Sequence, residues 1–80
     1  METKLFVASL SWSATEGDLY DLFGQVGEVL SVKIPTRRED GKPRGFAFVE
    51  MGSHEAASQA VSQFDGYALH GRPIVVSFQE

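Results

Sequence analysis

Three phenylalanines carry the most pointed chemistry in this chain: Phe6 near the start, and Phe46 and Phe48 within RGFAFVEM, Arg44 to Met51. Side chains alternate across a strand. In RGFAFVEM, Gly45, Ala47, Val49 and Met51 take one face, suited to a core. Arg44, Phe46, Phe48 and Glu50 take the other. In KLFVASL, Lys4 to Leu10, the core face takes Leu5 and Val7, which leaves Phe6 and Ala8 opposite. Flat aromatic rings stack on nucleobases, worth about 1–3 kcal/mol per base. A platform of Phe6, Phe46 and Phe48 beside Arg44 and Lys33 therefore predicts a surface for single-stranded nucleic acid, if that face is left uncovered.

The charge is distributed in a way that suits such a surface. The net charge is −4. From Lys33 to Arg44, however, Lys33, Arg37, Arg38, Lys42 and Arg44 face only Glu39 and Asp40, a local +3. The rest of the chain carries −7, with Lys4 and Arg72 as ordinary surface charges. Distribution matters more than the sum for a binding patch. Without cysteine there is no disulfide framework and no thiolate metal site. His54 and His70 have no second ligand at metal spacing, and His54, in a first helical turn, is expected to be exposed. No metal or other cofactor is expected. METKLF lacks a secretory signal's basic start and apolar stretch, and no apolar run is long enough to span a bilayer. An intracellular protein without membrane contact is expected, in cytoplasm, nucleus, organelle or bacterial cytoplasm.

The elements that must hold the rings can be read in order. Eighty residues make one small domain, 1–80. After the first strand, Thr15 is a good N-cap, and Asp18 three residues on resembles a capping box. Leu19, Leu22, Phe23 and Val26 then form a helical stripe, ended by Gly24 or Gly27. Glu28 to Ile34 is rich in β-branched residues and reads as a second strand, stopped by Pro35. TRREDGKP is a solvent-exposed loop. Arg44 to Met51 is the third strand. Ser53 caps a second helix with Ala57, Ala60, Val61 and Phe64 on one face, closed by Gly66. Ala68 and Leu69 can form a short hairpin arm, and Ile74 to Gln79 is the last strand. The order strand–helix–strand–strand–helix–strand predicts an α+β, ferredoxin-like βαββαβ fold: a four-stranded antiparallel sheet with two helices packed on one face. Nothing remains in the chain to cover the other face.

The chain resembles the RNA recognition motif family over essentially its full length. The octamer K/R-G-F/Y-G/A-F-V-x-F/Y is matched by Arg44-Gly45-Phe46-Ala47-Phe48-Val49-Glu50. The first strand's hexamer is matched by Leu5-Phe6-Val7-Ala8-Ser9-Leu10. Met51 departs from the octamer's last aromatic, on the core side, where only packing should change. Ala8-Ser9 depart from the usual Gly-Asn, which removes any contact that asparagine makes. The resemblance implies single-stranded RNA as partner, with Phe6 and Phe48 each stacked on a base and Phe46 against sugars or between nucleotides. It gives Arg44 a phosphate, and Lys33, Ser77 and Gln79 base edges or backbone. Arg37, Arg38 and Lys42 add electrostatic capture. Trp12 has two readings, a further stacking ring or a cover for a helix end. Single-stranded DNA is not separated from RNA by these residues, and a monomer is expected.

Other function classes fit less well. A protein-interaction module of the same fold is the alternative, although the intact trio of rings beside Arg44 speaks against it. A hydrolase on this topology would need a phosphate-cradling loop after the first strand, and SLSWSA, Ser9 to Ala14, has neither arginine nor glycine. No G-x-S-x-G elbow is present. Asp18 and Asp21 read as helix-dipole partners, not a catalytic pair. Gly24-Gln25-Val26-Gly27 spells GxxG, a clamp motif in other folds, but here two helix-terminating glycines explain it better. The chain reads as a binding module and not as an enzyme.

Overall fold

The computed structural model describes residues 2–41 and 45–79. The elements run β1 (Lys4–Ala8), α1 (Glu16–Phe23), β2 (Val29–Lys33), β3 (Ala47–Met51), α2 (His54–Phe64), β4 (Ala68–Leu69), β5 (Arg72–Pro73) and β6 (Val75–Phe78). The four longer strands make one antiparallel sheet in the order β2-β3-β1-β6, with β1 and β3 in the middle.

The alternation in the sequence becomes two faces. Leu5, Val7, Val32, Ala47, Val49, Met51 and Val76 are buried together with Leu19, Leu22 and Phe23 of α1 and Ala56, Ala57, Ala60 and Phe64 of α2, all in one cluster. Both helices therefore lie on the same side of the sheet. Fully burying a Val, Leu, Phe or Met side chain contributes about 1.5–3 kcal/mol, and an Ala methyl less. Met51 is fully buried, as the alternation predicts for the octamer's last position.

The capping box at α1 is present. The Asp18 N–H donates to Thr15 Oγ1 (3.1 Å) and the Thr15 N–H donates back to Asp18 Oδ2 (3.0 Å). The helix stops at Phe23, one turn short of the predicted stripe. Val26 still packs on the core, but from the turn that follows. Gly24 ends α1 with a right-handed φ of −63°, so conformational freedom is not its role. A β-carbon there would meet the Tyr20 carbonyl oxygen at 2.7 Å, and one on Gly27 would meet Ala56 Cβ at 2.5 Å. These glycines permit close approach.

The strands are shorter than their sequence runs, for local reasons. β1 ends where Ser9 turns to φ 56°. β3 begins after Gly45, whose φ of 91° suits only glycine. That turn lets the Gly45 carbonyl accept from the Leu10 N–H (2.9 Å), which ties the ends of the two central strands together. β6 extends by one bond, from the Gln79 N–H to the Lys4 carbonyl (2.9 Å). The predicted hairpin arm is real. β4 and β5 pair through His70-Gly71, with φ values of 54° and 76°. Positive φ at both central residues is the type I′ turn that matches strand twist.

Candidate nucleic-acid interface

The β1–β3 register places Phe6 directly opposite Phe48. Phe46 stands one residue before β3. The three rings form a closed triangle: centroids are 5.7 Å apart for Phe6–Phe46, 5.7 Å for Phe6–Phe48 and 5.6 Å for Phe46–Phe48. The interplanar angles of 30°, 54° and 78° are tilted or edge-on, the geometry that aromatic quadrupoles favour. All three rings are half-buried, and both helices lie on the far side of the sheet.

Around the rings the pairings set a polar frame. Lys33 of β2 lies opposite Phe48, and Ser31 opposite Glu50. Ser77 of β6 lies opposite Phe6, and Val75 opposite Ala8. Lys4 of β1 lies opposite Glu50. A shallow depression of about 340 Å³ is lined by Lys4, Ser31, Lys33, Phe48, Glu50 and Gln79. Thus Phe6, Phe46, Phe48, Lys33, Ser77 and Gln79 are brought to one surface. Lys4 and Ser31 join them. Charge alone marks Lys4 as an ordinary surface residue, yet the same alternation that exposes Phe6 puts Lys4 beside it.

The loop and flanking residues divide. Arg37 Nη2 lies 2.6 Å from Asp40 Oδ2, an exposed pair closed by the Gly41 N–H to the Arg37 carbonyl (2.8 Å). Hydrogen bonding to Asp40 raises the pKa of the Arg37 guanidinium and compensates its charge. Arg38 is exposed. Arg44 and Lys42 lie outside the described residues. Trp12 is 71% exposed, so it does not cover a helix end. It sits in the loop after β1, at the end of the sheet where β3 begins.

Both histidines have partners that spacing could not reveal. His70 Nε2 donates to Asp18 Oδ2 (2.7 Å), linking the β4–β5 hairpin to the start of α1 across 52 residues. That bond, followed by the Thr15 backbone N–H, holds the Asp18 carboxyl below its ordinary range. His54 is half-buried and not exposed. Its ring stacks on Phe78 (5.5 Å, 16°), and Nδ1 donates to the Glu2 carbonyl (2.7 Å). Among the described residues no group of three or more His, Cys, Asp or Glu could hold a metal, and no helix is long and apolar enough to cross a membrane.

Similarity to known proteins points the same way. Glycine-rich RNA-binding protein 2, mitochondrial, of Arabidopsis thaliana is 43% identical over 77 residues, 96% of this chain and 49% of that protein. The chain thus spans about half the length of that relative, and a quarter of two further mitochondrial glycine-rich proteins. Putative RNA-binding protein RbpD of Nostoc sp. PCC 7120 is 44% identical over 73 residues, 91% of this chain and 78% of that one. Among solved structures, the Rna15 RRM with bound RNA (GU) superposes with a TM-score of 0.89 at 26% identity, covering 100% of this chain and 85% of that one. The family model for the RNA recognition motif matches residues 5–75, so this chain, with its ringed open sheet, belongs to the RNA recognition motif family.

Proposed function

We propose that residues 1–80 act as one monomeric module that binds single-stranded RNA on the open sheet face, inside the cell. The observation that carries this is the triangle of Phe6, Phe46 and Phe48 on the face the helices leave bare. Phe6 and Phe48 each take a base, and Phe46 packs against sugars or between nucleotides. Lys33, Ser77, Gln79 and Trp12 extend the contact. Arg44, Arg38, Lys42 and, once released from Asp40, Arg37 meet phosphates. Relatives named as RNA-binding proteins and a neighbour solved with RNA support this reading.

Three stacked rings offer a gross gain of about 3–9 kcal/mol. Ordering the strand subtracts from it, so the domain alone should bind in the micromolar range, about −8 kcal/mol. Titration of fluorescently labelled single-stranded RNA, with a matched DNA, tests the reading. Saturable micromolar binding is expected. No binding up to high micromolar concentrations would refute it and leave the sheet face to a protein partner.

A further inference from the structure

Glu50 is a carboxylate set into the ring platform. It lies on the open face two residues from Phe48, about 7 Å along the strand. It is half-buried, and among the described residues it makes no hydrogen bond or ion pair, although Lys4 sits directly opposite. An ionised carboxylate only accepts hydrogen bonds. It repels phosphate, so the phosphates must pass elsewhere, and the groups that suit this position are donors: a ribose 2′-hydroxyl or a base edge with N–H groups.

We propose that the depression beside Phe48 selects guanine, with Glu50 as the specificity-determining residue; this deepens the RNA-binding reading and rests on it. Of the four bases, guanine alone has two adjacent donors on its Watson–Crick edge, N1–H and the N2 amino group. Two parallel donors match the two oxygens of a carboxylate, a bidentate arrangement that is both strong and directional. Cytosine and adenine place a ring acceptor beside their single amino group, and uracil flanks its one N–H with two carbonyls, so each sets an acceptor against the carboxylate. Guanine's O6 follows in the same row. The ammonium of Lys33 and the hydroxyl of Ser31 are the donors for it, on the neighbouring strand opposite Phe48 and Glu50. The ring of Phe48 supplies the stacking surface beneath.

The test compares seven-nucleotide RNAs that are all uridine or carry one central guanine, inosine, adenine or cytosine, by fluorescence anisotropy, with the native chain and with Glu50→Gln. The native chain should prefer the guanine oligomer about tenfold, within the discrimination a bidentate pair provides. Inosine, which keeps N1–H but lacks the N2 amino group, should fall between guanine and the rest. In Glu50→Gln the preference should shrink to less than about twofold, with the all-uridine oligomer bound more tightly because a negative charge is gone. Saturable binding without a guanine preference, or a preference that survives Glu50→Gln, overturns the assignment and leaves RNA binding standing. Failure to bind any of the oligomers overturns both.

Discussion

Phe6 and Phe48 occupy directly opposed positions on the two central strands, with ring centroids 5.7 Å apart. Their shared position makes the platform a property of strand register. A slip of one residue would send either ring into the core face.

Truncating one ring should therefore weaken binding without unfolding the domain. Phe48→Ala should lower RNA affinity by about ten- to a hundredfold, as expected for one lost base stack. The ring is half-buried on an open face, so the domain should stay folded, with the melting temperature lowered by about 4–8 °C, on the order of 1 kcal/mol for the lost aromatic contacts. Anisotropy titration and a thermal melt of the same sample separate the two effects. An unchanged affinity would mean that this ring carries no base.

Gly27 should behave in the opposite way. A methyl group there would press on Ala56 Cβ at 2.5 Å, at the junction of the α1–β2 turn with α2. Gly27→Ala should cost about 1–3 kcal/mol, the usual price of overpacking. Urea denaturation would show this as a lower midpoint at constant slope. RNA affinity of the folded fraction should not change, because this contact is on the far side of the sheet. A stable Gly27→Ala would argue against the close approach.

Asp18 should give the domain an acid-sensitive step. Its carboxyl is held below its ordinary value of 3.8, first by the hydrogen bond from His70. A group with a depressed folded pKa contributes stability above its unfolded pKa and loses it as pH falls through the folded value. Denaturation midpoints of the native chain should therefore decline below about pH 4 more steeply than those of Asp18→Asn. His70→Ala should flatten the same part of the curve. Identical profiles for all three chains would show that the contact between hairpin and helix is not coupled to folding.

Asp40 should restrain capture of RNA by the loop. Its carboxylate holds Arg37 at 2.6 Å. Asp40→Asn removes one negative charge and frees a guanidinium, so affinity at low salt should rise about two- to fivefold. The salt dependence should steepen from a log–log slope of about −2, expected for some three phosphate contacts, by up to about one unit. Affinity measured across a series of salt concentrations checks both. A slope that does not move would place Arg37 away from the phosphates.

Much of this was legible in the residue order because it is local. Two-residue alternation assigns Phe6, Phe46 and Phe48 to one face and Leu5, Val7, Ala47 and Val49 to the other, and the fold places them accordingly. Thr15 and Asp18 announce a capping box within four residues, and it forms. The octamer around Phe46 and Phe48 points to the family that residues 5–75 match. What depends on pairing between distant segments was not legible. The irregularity between Val29 and Ser31 offsets β2 against β3 and leaves Leu30 53% exposed; in EVLSVKI the two apolar residues Val29 and Leu30 stand side by side, and the run alone does not say which of them faces out. His70 meets Asp18 and His54 meets the Glu2 carbonyl, each across 52 residues.

The chain by itself determined which residues share a face, where its helices begin and which family it joins, because side-chain alternation and capping are set by neighbours a few residues apart. Tertiary structure alone decided that Glu50 lies between Lys4 and Ser31, that Lys33 stands across from Phe48, and that His70 meets Asp18. Those placements come from strand register and loop closure, which are fixed only when the whole core packs and no local preference of the backbone chooses among them.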